Sequence, residues 1–460
     1  MIPLSELNWG FLEIFFLIII FLVGFLTTYF ILPYLIKFLK HKKYVGYDIH
    51  KNSRPEVAES GGISIVIGFT IASFFLMIFF ISFLNEIVIF LLTVLLSAAI
   101  GFIDDRIKLK SRYKILFSIL SGTIILFANF FKIIEIQSPI LPFLDQTRLT
   151  IIYPILIPFI IAISANTVNM LEGYNGEGSG TCLIAVSFLF VCSLIWNSAQ
   201  GVIFTVPVIA VLIPFYLFNK YPAKIFPGDI GTLTMGAMIA GIMLFGSLEV
   251  ATICVLLIHI FNSFYVLYSV RGFLESDKIR EGKDDIILLE NDTIKASGQK
   301  DAALTLPRLI LAKGPLTEPK LVKNFYAISI ICGFFAILAV GFTLLTNGSL
   351  DIVLFIVICL IVIVPTAFFM YKFPRIRGVV VLMILLLTAA VIFLSIVEYL
   401  ILPLSLGQIN LGFIKIPIDY IILLILIAIG LILWYYLTIR YFWWQINKMK
   451  SLNSKKDGLV

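Results

Sequence analysis

The chain is predicted to be all-α: a polytopic bundle of about thirteen transmembrane helices, with one small β-hairpin or amphipathic element in a long polar loop. Three observations predict it. Hydrophobic residues make up 60% of the 460 and charged residues only 13%, a balance foreign to a water-soluble globule. The apolar residues fall in runs of about 17–25, the length that crosses a hydrocarbon core as a helix. Lys and Arg are biased to alternate connections: with the N-terminus outside, 31 of the 34 fall on the inside, as cytoplasmic segments require.

In order, the spans begin near Phe11, Gly62, Ile87, Ile115, Thr150, Thr181, Val202, Leu233, Val250, Phe325, Ile352, Val379 and Tyr420. The first lacks a basic leader and a cleavage pattern, so it is expected to be retained. Its inner end leads into "YVGYDIHKNSRPEVAESGG", Tyr44 to Gly62, whose Ser60 and glycines suit either a site or ordinary capping. The third span ends in "GFIDDRIKLKSRYK", Gly101 to Lys114. Asp104 and Asp105 there oppose the helix dipole at a cost of roughly 0.3–1 kcal/mol. Five basic residues follow within nine positions, cations for the acids or for a phosphate.

The fifth span ends in "NTVNMLEGYNGEGSG", Asn166 to Gly180. Asn166 and Asn169 share a helix face, and the glycines let backbone N–H groups approach an anion, or simply make a turn. "KIFPGDIGTLTMG", Lys224 to Gly236, opens the eighth span with an isolated acid, Asp229, which doubles as a helix cap. In the ninth, His259 and Asn262 share a face and suit hydrogen bonds to a neighbouring helix. The long inner loop, 271–324, carries "DDIILLENDTIKASGQKDAALTLPRLILAKGPLTEPK"; alternation around "END" predicts a hairpin, followed by a strand or amphipathic piece against the membrane. The pair Asp284 and Asp285 reads as a solvated turn. The five cysteines lie in or beside apolar runs without metal-ligand spacing and read as small apolar residues. Trp434, Trp443 and Trp444 fall where an aromatic belt belongs.

Together "GFIDD" with a Lys nine positions on, "NTVNMLEGYNGEGSG", "FPGD" and "LPRL" resemble the polyprenyl-phosphate N-acetylhexosamine-1-phosphate transferases of glycosyltransferase family 4 type. "GYDIHK", "PEVAESGG" and "FPGD" are most similar to the eukaryotic and archaeal dolichyl-phosphate N-acetylglucosaminephosphotransferase branch. The resemblance covers Gly46 to about Thr346. It implies a ten-helix core over 1–346, with 347–460 adding three helices and a basic tail.

What the resemblance implies chemically is a UDP-N-acetylhexosamine donor, a polyprenyl or dolichyl phosphate acceptor and release of UMP, which starts lipid-linked oligosaccharide synthesis. The cofactor implied is Mg²⁺, with Mn²⁺ as the alternative, a hard ion that takes one or two protein oxygens besides phosphates. By position, Asn169 and Asp229 match the metal ligands. Asp104, Asp105 and Lys114 match the catalytic residues at the acceptor phosphate and diphosphate. Glu59, Asn166, Asn175, Phe226 and Arg308 match substrate-binding positions, with Phe226 set to stack on uracil. The site is expected on the cytoplasmic face of the cell membrane, or of the endoplasmic reticulum in a eukaryote. The expected partners are the bilayer and the two substrates, a homodimer is compatible, and no nucleic acid is expected.

One departure stands out. The branch carries a His/Arg-bearing run just before "PRL", whereas here Ala303, Leu304 and Thr305 occupy it, so sugar selection is expected to use other cations. The rival class is a transporter or lipid-linked sugar flippase, which would show inverted repeats and ionisable residues near the midplane. Charges here crowd at one face instead.

Overall fold

The structure is a computed structural model that describes residues 10–143, 152–269, 284–396, 408–410 and 415–457. It is an all-α membrane bundle, and among the described residues eleven helices are long and apolar enough to span. In chain order the first elements are α1 (Phe11–His41), the hairpin β1 (Val45–Tyr47) and β2 (Glu56–Ala58), α2 (Gly62–Phe79), α3 (Leu84–Ile107), α4 (Ser111–Phe130) and α5 (Ile152–Leu171). There follow α6 (Glu177–Ile195), α7 (Ala199–Asn219), α8 (Gly228–Gly246), α9 (Glu249–Val255) and α10 (Leu257–Ser269). The long loop holds β3 (Ile286–Leu288), β4 (Thr293–Ala296), the short α11 (Leu306–Leu311) and β5 (Leu316–Thr317). The last helices are α12 (Glu318–Thr346), α13 (Ile352–Lys372), α14 (Arg377–Ile396) and α15 (Ile418–Asp457), with the hairpin β6 (Gln408–Asn410) and β7 (Lys415–Pro417) before α15.

The expected ninth span is broken: α9 and α10 meet at 62° around Leu256. No Pro or Gly marks the break, so tertiary packing makes it. α15 stands where the thirteenth span was expected, and the fifth span's expected start at Thr150 and loop residues 271–283 lie outside the described residues.

α8 is the axis of the bundle, buried at every position from Ile230 to Gly246. Its neighbours reach it backbone to backbone, because helices in lipid associate through close packing of small residues. A Cβ on Gly62 of α2 would lie 2.3 Å from Gly231 Cα, and one on Gly101 of α3 would lie 2.5 Å from Asp229 O. Neither position tolerates a side chain. On the other flank Ser164 Oγ of α5 donates to Gly236 O at 2.8 Å. Further along, Phe90 stacks edge-on against Phe69 and Phe204, with centroids 5.4 and 5.2 Å apart. At the far end Tyr153 Oη donates to Glu249 at 2.6 Å.

The loop hairpin forms around "END" as predicted: β3 pairs antiparallel with β4, and β5 completes a three-stranded sheet. Asn52 pins its turn, donating to Leu289 O and Asp292 Oδ1 at 2.9 and 2.6 Å. Two local expectations change. Of the strand or amphipathic piece expected after the hairpin, β5 supplies the strand, while α11 between them is buried at every residue rather than amphipathic. Asp285 accepts from Thr305 Oγ1 at 2.6 Å, so it anchors the loop instead of merely being solvated. Trp434 is a third change, buried at 4.8 Å from Phe261 and 5.1 Å from Phe264 rather than sitting in a lipid-facing belt. Four of the cysteines are buried as small apolar residues and the fifth, Cys359, is partly so.

Candidate active site

Three helix ends and the β1–β2 hairpin converge at one end of the bundle, and the acids singled out in the sequence meet there. α3 stops at Lys108, which adopts a left-handed φ of 52°, and Asp104 Oδ1 accepts from Leu109 N at 2.8 Å. That bond satisfies a backbone donor in the exit turn and fixes the carboxylate. Its other oxygen lies 2.6 Å from Lys114 Nζ, and the same ammonium lies 2.8 Å from Asp229 Oδ1. Asp105 turns the other way, where its Oδ1 accepts from Asp229 N at 2.6 Å. An acid at that place caps the start of α8 and meets the positive end of its dipole. Gly228, with φ of +67°, makes the approach feasible, since a Cβ there would lie 2.6 Å from Asp105 Oδ2. Ser60 closes the group, its Cα 3.0 Å from where that same Cβ would stand.

The hairpin brings Glu59 beside these acids. Burial, and then the charge of Asp229, hold its carboxyl above the usual range. Phe226 is locked by its backbone, donating to Ala58 O and accepting from Gly61 N at 2.8 Å each. Its ring lies over Gly46, where a Cβ would stand 3.4 Å from it.

The glycine loop is organised by acids that sequence reading passed over. Glu177 accepts from Gly173 N and Tyr174 N, and Glu172 accepts from Gly178 N at 2.7 Å. Burial pushes the Glu172 carboxyl up to about 8. Asn175 is tied from both its backbone and its side chain: its N donates to Glu318 at 2.7 Å, and its Nδ2 to Asp48 at 2.9 Å. Asp48, His50 and Glu318 offer ligand atoms within 4.8 Å of one another. Lys51 already lies 2.7 Å from Asp48. Burial works against the Asp48 charge, but the Lys51 and Asn175 hydrogen bonds outweigh it and its pKa is lowered. The cluster therefore reads as a clamp joining hairpin, glycine loop and α12. "GYDIHK" contained Asp48, but Asn175 lies 127 residues from it and Glu318 a further 143 residues from Asn175, and no local signal connects them.

The two α5 asparagines differ. Asn166 Nδ2 bonds back to Ala162 O at 2.8 Å within its own helix. Asn169 lies one turn beyond Ala165, whose Cα is 2.4 Å from where a Gly236 Cβ would stand, so it rises toward the end of α8 that carries Asp229. Arg308 was expected at a substrate-binding position. It is fully buried, and its guanidinium donates to the carbonyls of Ser297, Gln299, Ala302 and Ala303. Its donors are spent on shaping the loop, and burial lowers its pKa.

As a donor set, Glu59, Asp104, Asp105 and Asp229 gather four carboxylates at this end of the bundle, two of them paired with the partly buried Lys114 ammonium. All the ligand atoms are oxygens, and negative charge is in excess. That chemistry fits a hard divalent ion and the phosphates it accompanies.

A family model described as glycosyl transferase family 4 matches residues 87–247, which contain all of these acids except Glu59. A putative glycosyltransferase of Methanocaldococcus jannaschii is 30% identical over 322 residues, 69% of this chain and 94% of that protein. A Saccharolobus solfataricus protein named putative UDP-N-acetylglucosamine–dolichyl-phosphate N-acetylglucosaminephosphotransferase is 35% identical over 234 residues, 50% of this chain and 71% of the relative. A phospho-N-acetylmuramoyl-pentapeptide-transferase of Bacillus subtilis is 28% identical over 277 residues, 56% of this chain and 83% of the relative.

Proposed function

Because this chain belongs to glycosyl transferase family 4, we propose that it transfers N-acetylglucosamine-1-phosphate, or a related N-acetylhexosamine-1-phosphate, from a UDP-sugar to a polyprenyl or dolichyl phosphate at the cytoplasmic face of its membrane. The names of the archaeal relatives support the donor and acceptor. The observation that carries the reading is the Asp104–Lys114–Asp229 chain with Asp105 on the start of α8. It gathers the charges that phosphoryl transfer needs from helices otherwise almost free of them.

An oxygen of the lipid phosphate attacks the sugar-bearing phosphorus, the bond to the UMP oxygen breaks, and UMP leaves with that electron pair. A phosphate monoester is already mostly dianionic near neutral pH, with a second pKa of about 6, so no strong base is required. Asp104 and Asp105 hold positions rather than protons: one fixes Lys114, the other the start of α8. Lys114 is placed to meet the diphosphate as its negative charge shifts toward UMP. Asp229, with Asn169, would hold a divalent ion, Mg²⁺ by preference, which supplies neutralisation of the phosphate oxygens. Phe226 and Glu59 form the nucleotide side, with Asn175 fixing the loop opposite.

The test is incubation of the purified chain with Mg²⁺ or Mn²⁺, a polyprenyl phosphate and a panel of UDP-sugars, with UMP as readout. UMP release that needs both lipid phosphate and UDP-N-acetylglucosamine is expected. No UMP with any donor would overturn the reading.

A further inference from the structure

The cations of the site are unevenly occupied. Lys114 is held between two carboxylates, and Arg308 is consumed by its own loop. Arg106 is different. It lies on the last turn of α3, directly after the acid pair, and forms no ion pair among the described residues. Its guanidinium stands over the Tyr44 ring at 3.4 Å from the centroid and over Phe102 at 5.0 Å. Nε is buried without a hydrogen-bond partner. The Tyr44 platform is itself fixed, since Tyr44 N donates to Leu39 O and Tyr44 O accepts from Glu59 N.

A stacked guanidinium keeps its edge donors free, and that planar fork matches a phosphate better than an ammonium does. Cation–π contact contributes roughly 0.5–2 kcal/mol to this half-buried guanidinium; the nearby Glu59 carboxylate feels its charge but forms no ion pair with it, so an anion in contact would add to both. The surroundings indicate which anion comes. Phe102, Ile103 and Ile107, on the same turns of α3, are 41%, 45% and 70% exposed, and apolar side chains exposed on a membrane helix face lipid. Arg106 thus stands at the border between the acyl region and the carboxylate cluster. A ligand with an apolar tail in the bilayer and a phosphate at its head meets both.

We propose that Arg106, braced on Tyr44, binds the phosphate of the lipid acceptor. This rests on the acceptor class named above and assigns a residue to it.

Direct binding tests it without turnover. Dissociation constants of a polyprenyl phosphate and of the matching polyprenol would be measured on the full-length protein in detergent for wild type, Arg106→Gln, Arg106→Lys, Tyr44→Leu and Lys110→Gln, with UDP-sugar binding in parallel. Wild type should prefer the phosphate to the alcohol. Arg106→Gln should weaken polyprenyl phosphate binding about tenfold or more, with the alcohol and the UDP-sugar unchanged. Arg106→Lys and Tyr44→Leu should fall in between, and Lys110→Gln, a neighbouring exposed cation, should stay within about twofold of wild type. Unchanged phosphate affinity in Arg106→Gln overturns the proposal, as does lost UDP-sugar binding, which would put Arg106 on the donor. Competition by phosphatidylglycerol as effective as by polyprenyl phosphate would also overturn it, leaving an ordinary headgroup contact. Should Arg106→Gln not fold, wild-type affinity in both Arg106→Lys and Tyr44→Leu overturns the proposal equally. A wild type that binds the lipid phosphate through Arg106 yet releases no UMP would sink the transferase reading and leave this assignment standing.

Discussion

α8 and α13 are helices of 19 and 21 residues, yet 89% of the spanning window is buried in α8 and 11% in α13. The buried helix is the less apolar one. α8 reads "GDIGTLTMGAMIAGIMLFG", small and partly polar, whereas α13 reads "IVLFIVICLIVIVPTAFFMYK". In water the order would be reversed. In a bilayer the tails are as apolar as leucine, so hydrophobicity does not drive helices together, and the centre goes to those that let backbones touch. Hydropathy thus finds the spans, and of these two the more apolar is the one left to the lipid. The candidate site lies with the buried member of the pair, Asp229 standing at the start of the most buried spanning helix among the described residues.

Four perturbations probe that contrast, from the largest effect to the smallest. Gly62→Leu puts a side chain where Gly231 Cα stands and should cost more than about 3 kcal/mol. Loss of monodisperse protein on size exclusion is expected; a normal yield would mean that α2 and α8 separate easily. Asp229→Ala should leave a folded chain, since it is partly exposed, while slowing UMP release about 10²–10³-fold at saturating divalent ion. Near wild-type turnover would reduce Asp229 to a helix cap.

Ending the chain after Thr346 should still allow insertion but lower the rate of UMP release by roughly tenfold (about 1.4 kcal/mol). The truncation uncovers Phe261, Phe264 and Tyr265, which Trp434 and Phe442 pack against. It also removes Arg375, whose guanidinium donates to Gly314 O at 2.6 Å while Lys313 Nζ bonds Pro374 O and Arg375 O. A full rate would show that the last three helices are independent of the site. Last, Leu360→Ala on the lipid-facing side of α13 should change the thermal midpoint by no more than about 0.5 kcal/mol equivalent. A shift as large as that of a core variant would reveal a partner on that face.

The bundle was legible because the bilayer dictates run length, which is a local property of the chain. The acid pair, Lys114 and Asp229 were legible for a related reason: polar residues at helix ends are conspicuous against an apolar background. What stayed hidden depends on distant partners. Nothing near Arg308 announces that four carbonyls consume it, and nothing near Asn175 announces Asp48 and Glu318. Trp434 misled because a lipid interface and a helix seam can lie at the same depth. The break at Leu256 has no sequence breaker, so only packing reveals it.

Lys114 gives the resting site an internal substitute. Its ammonium already sits on Asp229 Oδ1, 2.8 Å away, so a metal ion or any other cation reaching that oxygen enters by exchange rather than by addition. Apparent affinity there measures the difference between two cations and not the pull of one. The displaced ammonium does not leave, because its tether to Asp104 at 2.6 Å retains it within reach of whatever anion arrives next. Were a divalent ion to load there, the freed ammonium would be placed to receive the anion that follows.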